Sequence, residues 1–147
     1  MAFEFDRIKY RELNARQKEN YNFQKISAVL ADYGFITLRL SDDWLGADFI
    51  AFHRSGESLH VQLKSRLTFL KKYRNRDDLY VVFPFGGEWY LYNHNELLEK
   101  VLADTNIGAT KSWKEGGGYS TGRPGGRLLE LLKDYRLDNS GAAGIAD

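Results

Sequence analysis

The apolar residues of this chain change their period at Gly34, and that change restricts the possible folds more than any other feature. In NFQKISAVLADYGF, residues Phe23, Ile26, Val29, Leu30 and Tyr33 recur at the spacing of one helical face, and Gly34 supplies a stop. The helix is expected to begin near Asn14. Three short segments follow, FITLRL (35–40), LGADFIAF (45–52) and SLHVQLKS (58–65), each rich in β-branched and aromatic residues. SDDW and HRSGE separate them. Asp42 and Asp43 are expected to form a turn, with a role as extra site ligands as the second reading, and Gly56 marks a hairpin.

Downstream, LTFLKKY reads as a short helix, and the charged stretch RNRDD leads into LYVVFPF, a continuous apolar run that suits a strand buried on both faces. EWYLY reads as a further strand after Gly86 and Gly87, and NHNELLEKVLAD as a helix starting near Asn93 or Asn95. The segment TKSWKEGGGYSTGRPGG has no regular pattern. Its residues Lys111, Trp113, Lys114, Tyr119 and Arg123 suit a loop that contacts something, and its three consecutive glycines lack the Lys-Ser/Thr ending of a phosphate-binding loop. RLLELLKDYRL reads as a last helix with Leu128, Leu129, Leu131 and Leu132 inward. The whole is an α/β (α+β) pattern, a central mixed sheet flanked by helices, in one domain over 1–136 with a disordered tail over 137–147.

Composition excludes several function classes. None of the 147 residues is cysteine, which removes disulfides, thiolate nucleophiles and cysteine-based zinc sites, and His53, His60 and His94 are too scattered to replace them. The N-terminus is too charged for a signal peptide, and no apolar run reaches the ~20 residues of a membrane span, so a cytoplasmic protein without a membrane partner is expected. A formal charge of +1 means that any nucleic-acid surface must arise by local clustering. The cluster that qualifies is Arg66, Lys71, Lys72, Arg74 and Arg76, with a solvated helix and loop as the plain alternative. Tyr73 among them either stacks on a base or caps the core.

The candidate chemistry lies in the second and third strands. Alternation puts Leu59, Val61 and Leu63 on one face and His60, Gln62 and Lys64 on the other. On the neighbouring strand Asp48 shares a face with Ile50 and Phe52, so this acid needs a partner. Extending the helix stripe backward from Phe23 reaches Asn20 and Glu19, with Arg16 a turn earlier. A solvated strand face explains Asp48, Gln62 and Lys64 as simply as a site does, and helix N-termini favour acids such as Glu19 for dipole reasons alone. The alternative is a metal site. Asp48, the amide oxygen of Gln62 and the backbone carbonyl of Leu63 form an oxygen set suited to Mg²⁺ or Mn²⁺, and Lys64 would orient water or stabilise charge on a phosphate.

A helix, then strands carrying Asp48 in GADF and Gln62-Leu63-Lys64 in the next strand, resembles the PD-(D/E)xK nuclease superfamily, the restriction-endonuclease-like fold. The resemblance covers roughly residues 14–92. It implies that Asp48 is the motif acid, that Gln62 and Lys64 are the QxK form of the second element, and that Glu19, with Gln24 as a competitor, is the helix acid. A metal-dependent nuclease acting on nucleic acid, DNA above all, is the implied function, with Mg²⁺ or Mn²⁺ as cofactor and a homodimer as the working form, since small members of the superfamily often pair. Ala47 stands where the family has proline. Gln62 replaces a charged ligand with a neutral one, which lowers metal affinity and makes a binding module of the same fold, without turnover, the alternative.

Overall fold

The computed structural model describes residues 2–44 and 46–138; the side chains of Asp43 and Trp44 lie outside the description, as does the expected tail of 137–147 from residue 139 on, while Leu137 belongs to a strand and not to the tail. Helix α1, Ala15–Ala31, starts at a capping box in which the Asn14 side chain accepts from the Gln17 N–H and the Gln17 side chain accepts from the Asn14 N–H. Its inward stripe buries Ile26, Val29 and Leu30. The chain then reverses at Gly34, whose φ of +87° belongs to the left-handed region that glycine enters without strain.

The principal sheet has six strands: β1 Phe35–Trp44, β2 Ala47–His53, β3 Ser58–Leu63, β5 Leu79–Phe85, β6 Glu88–Asn93 and β8 Arg136–Leu137, side by side in that order. Only the β3–β5 contact is parallel, so the sheet is mixed and the fold is α+β. SDDW is therefore not a turn. Its residues lengthen β1, and the reversal falls at Gly46, with φ +88°, where a Cβ would stand 3.2 Å from the Tyr73 ring.

A second, two-stranded sheet pairs β4, Leu67–Leu70, with β7, Gly118–Thr121. This corrects LTFLKKY, which is a strand followed by a 3-10 turn at Lys71–Tyr73, and it gives the Gly-rich segment a regular core. Helices α2 (His94–Asp104), α3 (Lys111–Lys114) and α4 (Gly126–Leu132) complete the fold. In α4, Leu128 and Leu132 are buried while Leu129 and Leu131 are half-buried.

Strand β5 explains its own apolar run. Val82 packs with Ile26, Leu30, Phe49 and Val61 on the α1 side, while Val81 and Phe83 join Leu67, Phe69, Leu97 and Leu98 on the opposite side. Each such fully buried side chain contributes about 1.5–3 kcal/mol. The same strand sets where β3 stops. Lys64 N–H donates to the Val82 carbonyl at 2.9 Å, and the next parallel-ladder donor would be residue 84, a proline with no N–H. The chain leaves the sheet there, beside the residues that matter below.

Candidate functional site

Two irregularities at one end of the sheet open a cleft around Asp48. Strand β1 pairs Arg39 with Phe49 and next pairs Trp44 with Ala47, so residues 40–43 bulge opposite the single residue Asp48. On the other side, the regular β2–β3 ladder has its last pair at Phe49 and Val61, and the Leu63 N–H beyond it would lose its partner. The Asp48 carboxylate takes that role: its Oδ2 accepts from the Leu63 N–H at 2.8 Å. A short acid at this position thus replaces a ladder bond with a side-chain one.

The cleft beside Asp48, about 530 Å³, lies between the start of α1 and the β1 bulge; Arg16, Glu19, Arg39, Asp42, Asp48 and Leu63 are among its walls. A second hollow of about 330 Å³ adjoins it, with Tyr10, Lys18, Asn22 and Lys64 in its walls, and Glu19 and Leu63 border both. Asp48, Leu63, Glu19 and Lys64 are therefore brought to one place from two strand ends and a helix start. Gln24, the competing helix residue, is exposed and lines neither hollow.

Gln62 behaves differently. It is only 8% exposed and lines neither hollow, and its Oε1 has no hydrogen-bond partner among the described residues. The alternation that groups it with Lys64 breaks because β3 ends at Leu63, so Lys64 turns into the hollow on the α1 side while Gln62 stays buried. A buried, unpartnered amide oxygen costs about 1–3 kcal/mol. An amide oxygen is a donor type that a hard divalent cation takes, and this one adjoins the Asp48–Leu63 contact in sequence while lying outside both hollows. No group of three or more His, Asp or Glu side chains gathers about one point among the described residues, so a cation here would rely on two carboxylates, Asp48 and Glu19, with neutral oxygens from Gln62 and Leu63.

The basic run is dispersed by the 3-10 turn. Arg76 makes a two-pronged contact with Asp78 at 2.9 and 3.1 Å, which holds the Asp78 carboxyl below the usual carboxylate range, and Arg74 meets Glu99 at 3.3 Å. Lys71 lies over the Trp113 ring and Lys72 over the Tyr73 ring, while Arg66 donates to the Ser120 carbonyl at 3.0 Å. Tyr73 itself is buried and caps the core against His94. His60 sits 3.8 Å from Asp78, remote from the clefts.

Sequence reasoning did not single out Arg39 or Tyr10 as wall residues. Arg39 alternates like an ordinary outward strand residue, and its place depends on the bulge that follows it; Tyr10 lies in a 3-10 turn, Tyr10–Glu12, outside any periodic segment. Among the described residues no helix is long and apolar enough to cross a membrane.

No protein-family model matches the sequence, and no curated protein matches it. Among solved structures the chain is similar to the bacterial homing endonuclease I-Ssp6803I, with 14% identity and a TM-score of 0.48, over 84% of this chain and 87% of that one.

Proposed function

We propose that this chain is a metal-dependent nuclease that hydrolyses phosphodiester bonds of nucleic acid, with DNA as the substrate to test first. The observation that carries the reading is the Asp48 carboxylate bound to the Leu63 N–H in a cleft that Glu19 also lines, with Lys64 in the adjoining hollow that shares Glu19 and Leu63. Asp48, Glu19, the Leu63 carbonyl and the Gln62 amide would hold Mg²⁺ or Mn²⁺. When bound, such a cation polarises a phosphoryl oxygen and lowers the pKa of a bound water.

The chain's own residues have distinct tasks in this reading. The Leu63 N–H holds the Asp48 carboxylate and so fixes its orientation in the cleft. Lys64, at the junction of strand and loop, orients the attacking water and offsets charge that builds on the phosphate. Arg66, Lys71 and Lys72 lie further along the chain on the exposed surface and would meet the phosphate backbone, whereas Arg74 and Arg76 serve first as partners of Glu99 and Asp78.

A binding module of the same fold without turnover is the second reading. The neutral Gln62 and the small number of carboxylates favour it. Cleavage of supercoiled plasmid and branched DNA in Mg²⁺ or Mn²⁺ separates the two. Turnover by the wild type and a loss of at least about 100-fold in Lys64→Ala are expected for the nuclease, in line with the usual contribution of a positioned catalytic group. Plasmid left intact by the wild type in both metals, with DNA still bound, would establish the binding module instead. We further propose that the working form is a homodimer, supported by an open apolar sheet face considered below.

A further inference from the structure

Arg39 in the first cleft is held in a different way from the arginines that form ion pairs. Arg74, Arg76, Arg127 and Arg136 each form an ion pair with an acid. Arg39 has none among the described residues, although Glu19, Asp42 and Asp48 line the same cleft. It is held instead by neutral groups: its Nη1 donates to the Asn20 Oδ1, and its guanidinium carbon lies over the Phe23 ring, 5.4 Å from the centroid. Asn20 and Phe23 are one turn apart on α1, and both also line the cleft.

This mount has a chemical consequence. An exposed arginine normally loses rotamer freedom when it grips a ligand, but here an amide and an aromatic ring already restrict the side chain. No carboxylate pairs directly with the guanidinium among the described residues, and the planar fork keeps N–H donors to offer. A tetrahedral dianion or a diester phosphate is the ligand that such a fork binds with two parallel hydrogen bonds. Arg16, also without an ion-pair partner among the described residues, lines the same space.

We infer that Arg39, on its Asn20–Phe23 mount, grips a phosphate of the nucleic-acid strand adjacent to the one presented to Asp48. The inference rests on the nuclease reading for the position of Asp48, and it adds the path of the strand. The two hollows meet at Glu19 and Leu63, so a strand that enters past Arg39 and leaves past Lys18 and Lys64 carries its middle phosphate across the Asp48–Leu63 contact. Arg39 is a positioning residue in this scheme, since it touches a flanking phosphate and not the scissile one.

The test is fluorescence anisotropy of a labelled DNA duplex and of a labelled single strand, in Ca²⁺ to hold off cleavage, over a salt series, with wild type, Arg39→Ala, Arg39→Lys and Asn20→Ala. Cleavage in Mg²⁺ and Mn²⁺ runs in parallel. Arg39→Ala is expected to weaken binding about tenfold and to reduce the slope of log Kd against log salt by about 0.7–0.9, the value for one phosphate contact. Arg39→Lys keeps the slope but recovers only part of the affinity, and Asn20→Ala weakens binding with the slope intact. Equal affinity and equal slope for wild type and Arg39→Ala would overturn the inference and leave the nuclease reading standing if the wild type cleaves. A wild type that binds with an Arg39-dependent slope yet never cuts in either metal supports the inference and removes the nuclease reading. Absence of DNA binding by the wild type overturns it outright.

Discussion

Gln62 is a buried neutral amide next to Leu63, and its burial makes the proposed ligand role measurable. Its Oε1 is inaccessible and unpartnered among the described residues, so the folded protein carries a desolvation penalty of about 1–3 kcal/mol for that atom. If the penalty is retained for metal binding, removing the amide separates stability from function. Gln62→Leu is expected to unfold at equal or higher urea concentration than the wild type while losing Mn²⁺ binding in calorimetric titration. Gln62→Glu is expected to bind Mn²⁺ more tightly and, without metal at neutral pH, to be less stable, since a buried carboxylate then lacks a partner. Wild-type Mn²⁺ affinity in Gln62→Leu would remove Gln62 from the ligand set. At this scale periodicity was informative in part: the helix stripe reached Glu19, which lines both hollows, while strand alternation put Lys64 with Gln62, two residues that the end of β3 separates. It was silent on Arg39, because the β1 bulge that turns the chain around Asp48 is a tertiary feature with no residue signature of its own.

The small β4–β7 sheet shows why some elements cannot be read locally. Leu67 and Phe69 are fully buried, but the strand is only four residues long, and its partner lies far along the chain in a Gly-rich segment. A Cβ at Gly118 would stand 2.6 Å from the end of the Leu70 side chain and 3.0 Å from the Phe69 carbonyl oxygen, so the glycine that hides the strand from propensity rules also suits the close approach of the pair. The long apolar run of β5, the caps at Asn14 and Asn93, and the α1 stripe were legible because each depends only on neighbours. Two side chains, Tyr92 of β6 and His94 at the start of α2, fasten β4 to the principal sheet. The buried Tyr92 hydroxyl donates to the Thr68 carbonyl at 2.6 Å, and His94 Nε2 accepts from the Leu70 N–H at 3.1 Å. That bond requires neutral His94 with its proton on Nδ1, facing the Asn95 side-chain oxygen at 3.0 Å. Burial, with a smaller contribution from Arg74, holds the His94 pKa below the ordinary 6.5. The unfolded chain therefore binds the proton more readily than the native one. Stability from this group is complete above about pH 6.5 and declines as pH falls below it, by at most about 1.4 kcal/mol per pH unit for one proton. Urea melts between pH 7.5 and 5 should show that decline in the wild type, and His94→Asn, which retains an acceptor but cannot titrate, should flatten it. An unchanged slope would assign the decline to other groups.

Considered as a whole, the molecule covers its sheet unevenly. Helix α1 packs on one face of β1, β2 and β3, and the helices and small sheet of the C-terminal half cover the opposite face at β5 and β6. That leaves the far side of β1 and β2 open, where Ile36 is 76%, Leu38 54% and Phe52 44% exposed, with the half-buried Ile50 among them. Register makes these neighbours into one patch: Ile36 faces Phe52, and Leu38 faces Ile50. β1 is also an edge strand, ten residues long, with no strand paired to its outer side among the described residues. A contiguous apolar area of this kind marks an interaction site more often than a solvent face. A second copy of the chain suits it because the patch is uncharged, so packing it against itself across a two-fold axis brings no like charges together. It also lies on the sheet face opposite α1, so pairing there leaves Arg16, Glu19 and Lys18 on α1 open to a nucleic-acid strand. Sedimentation velocity at tens of micromolar is expected to give a dimer for the wild type and a monomer for Phe52→Asp. Because Phe52 is largely exposed in the single chain, that substitution should alter monomer stability by no more than about 0.5 kcal/mol, and its circular dichroism should match the wild type. The melting temperature of the wild type should rise with protein concentration while that of Phe52→Asp stays constant, since only a self-associating native state is stabilised by mass action. A wild type that sediments as a monomer throughout this range would refute pairing through the open face and leave the two hollows of a single chain to do the work alone.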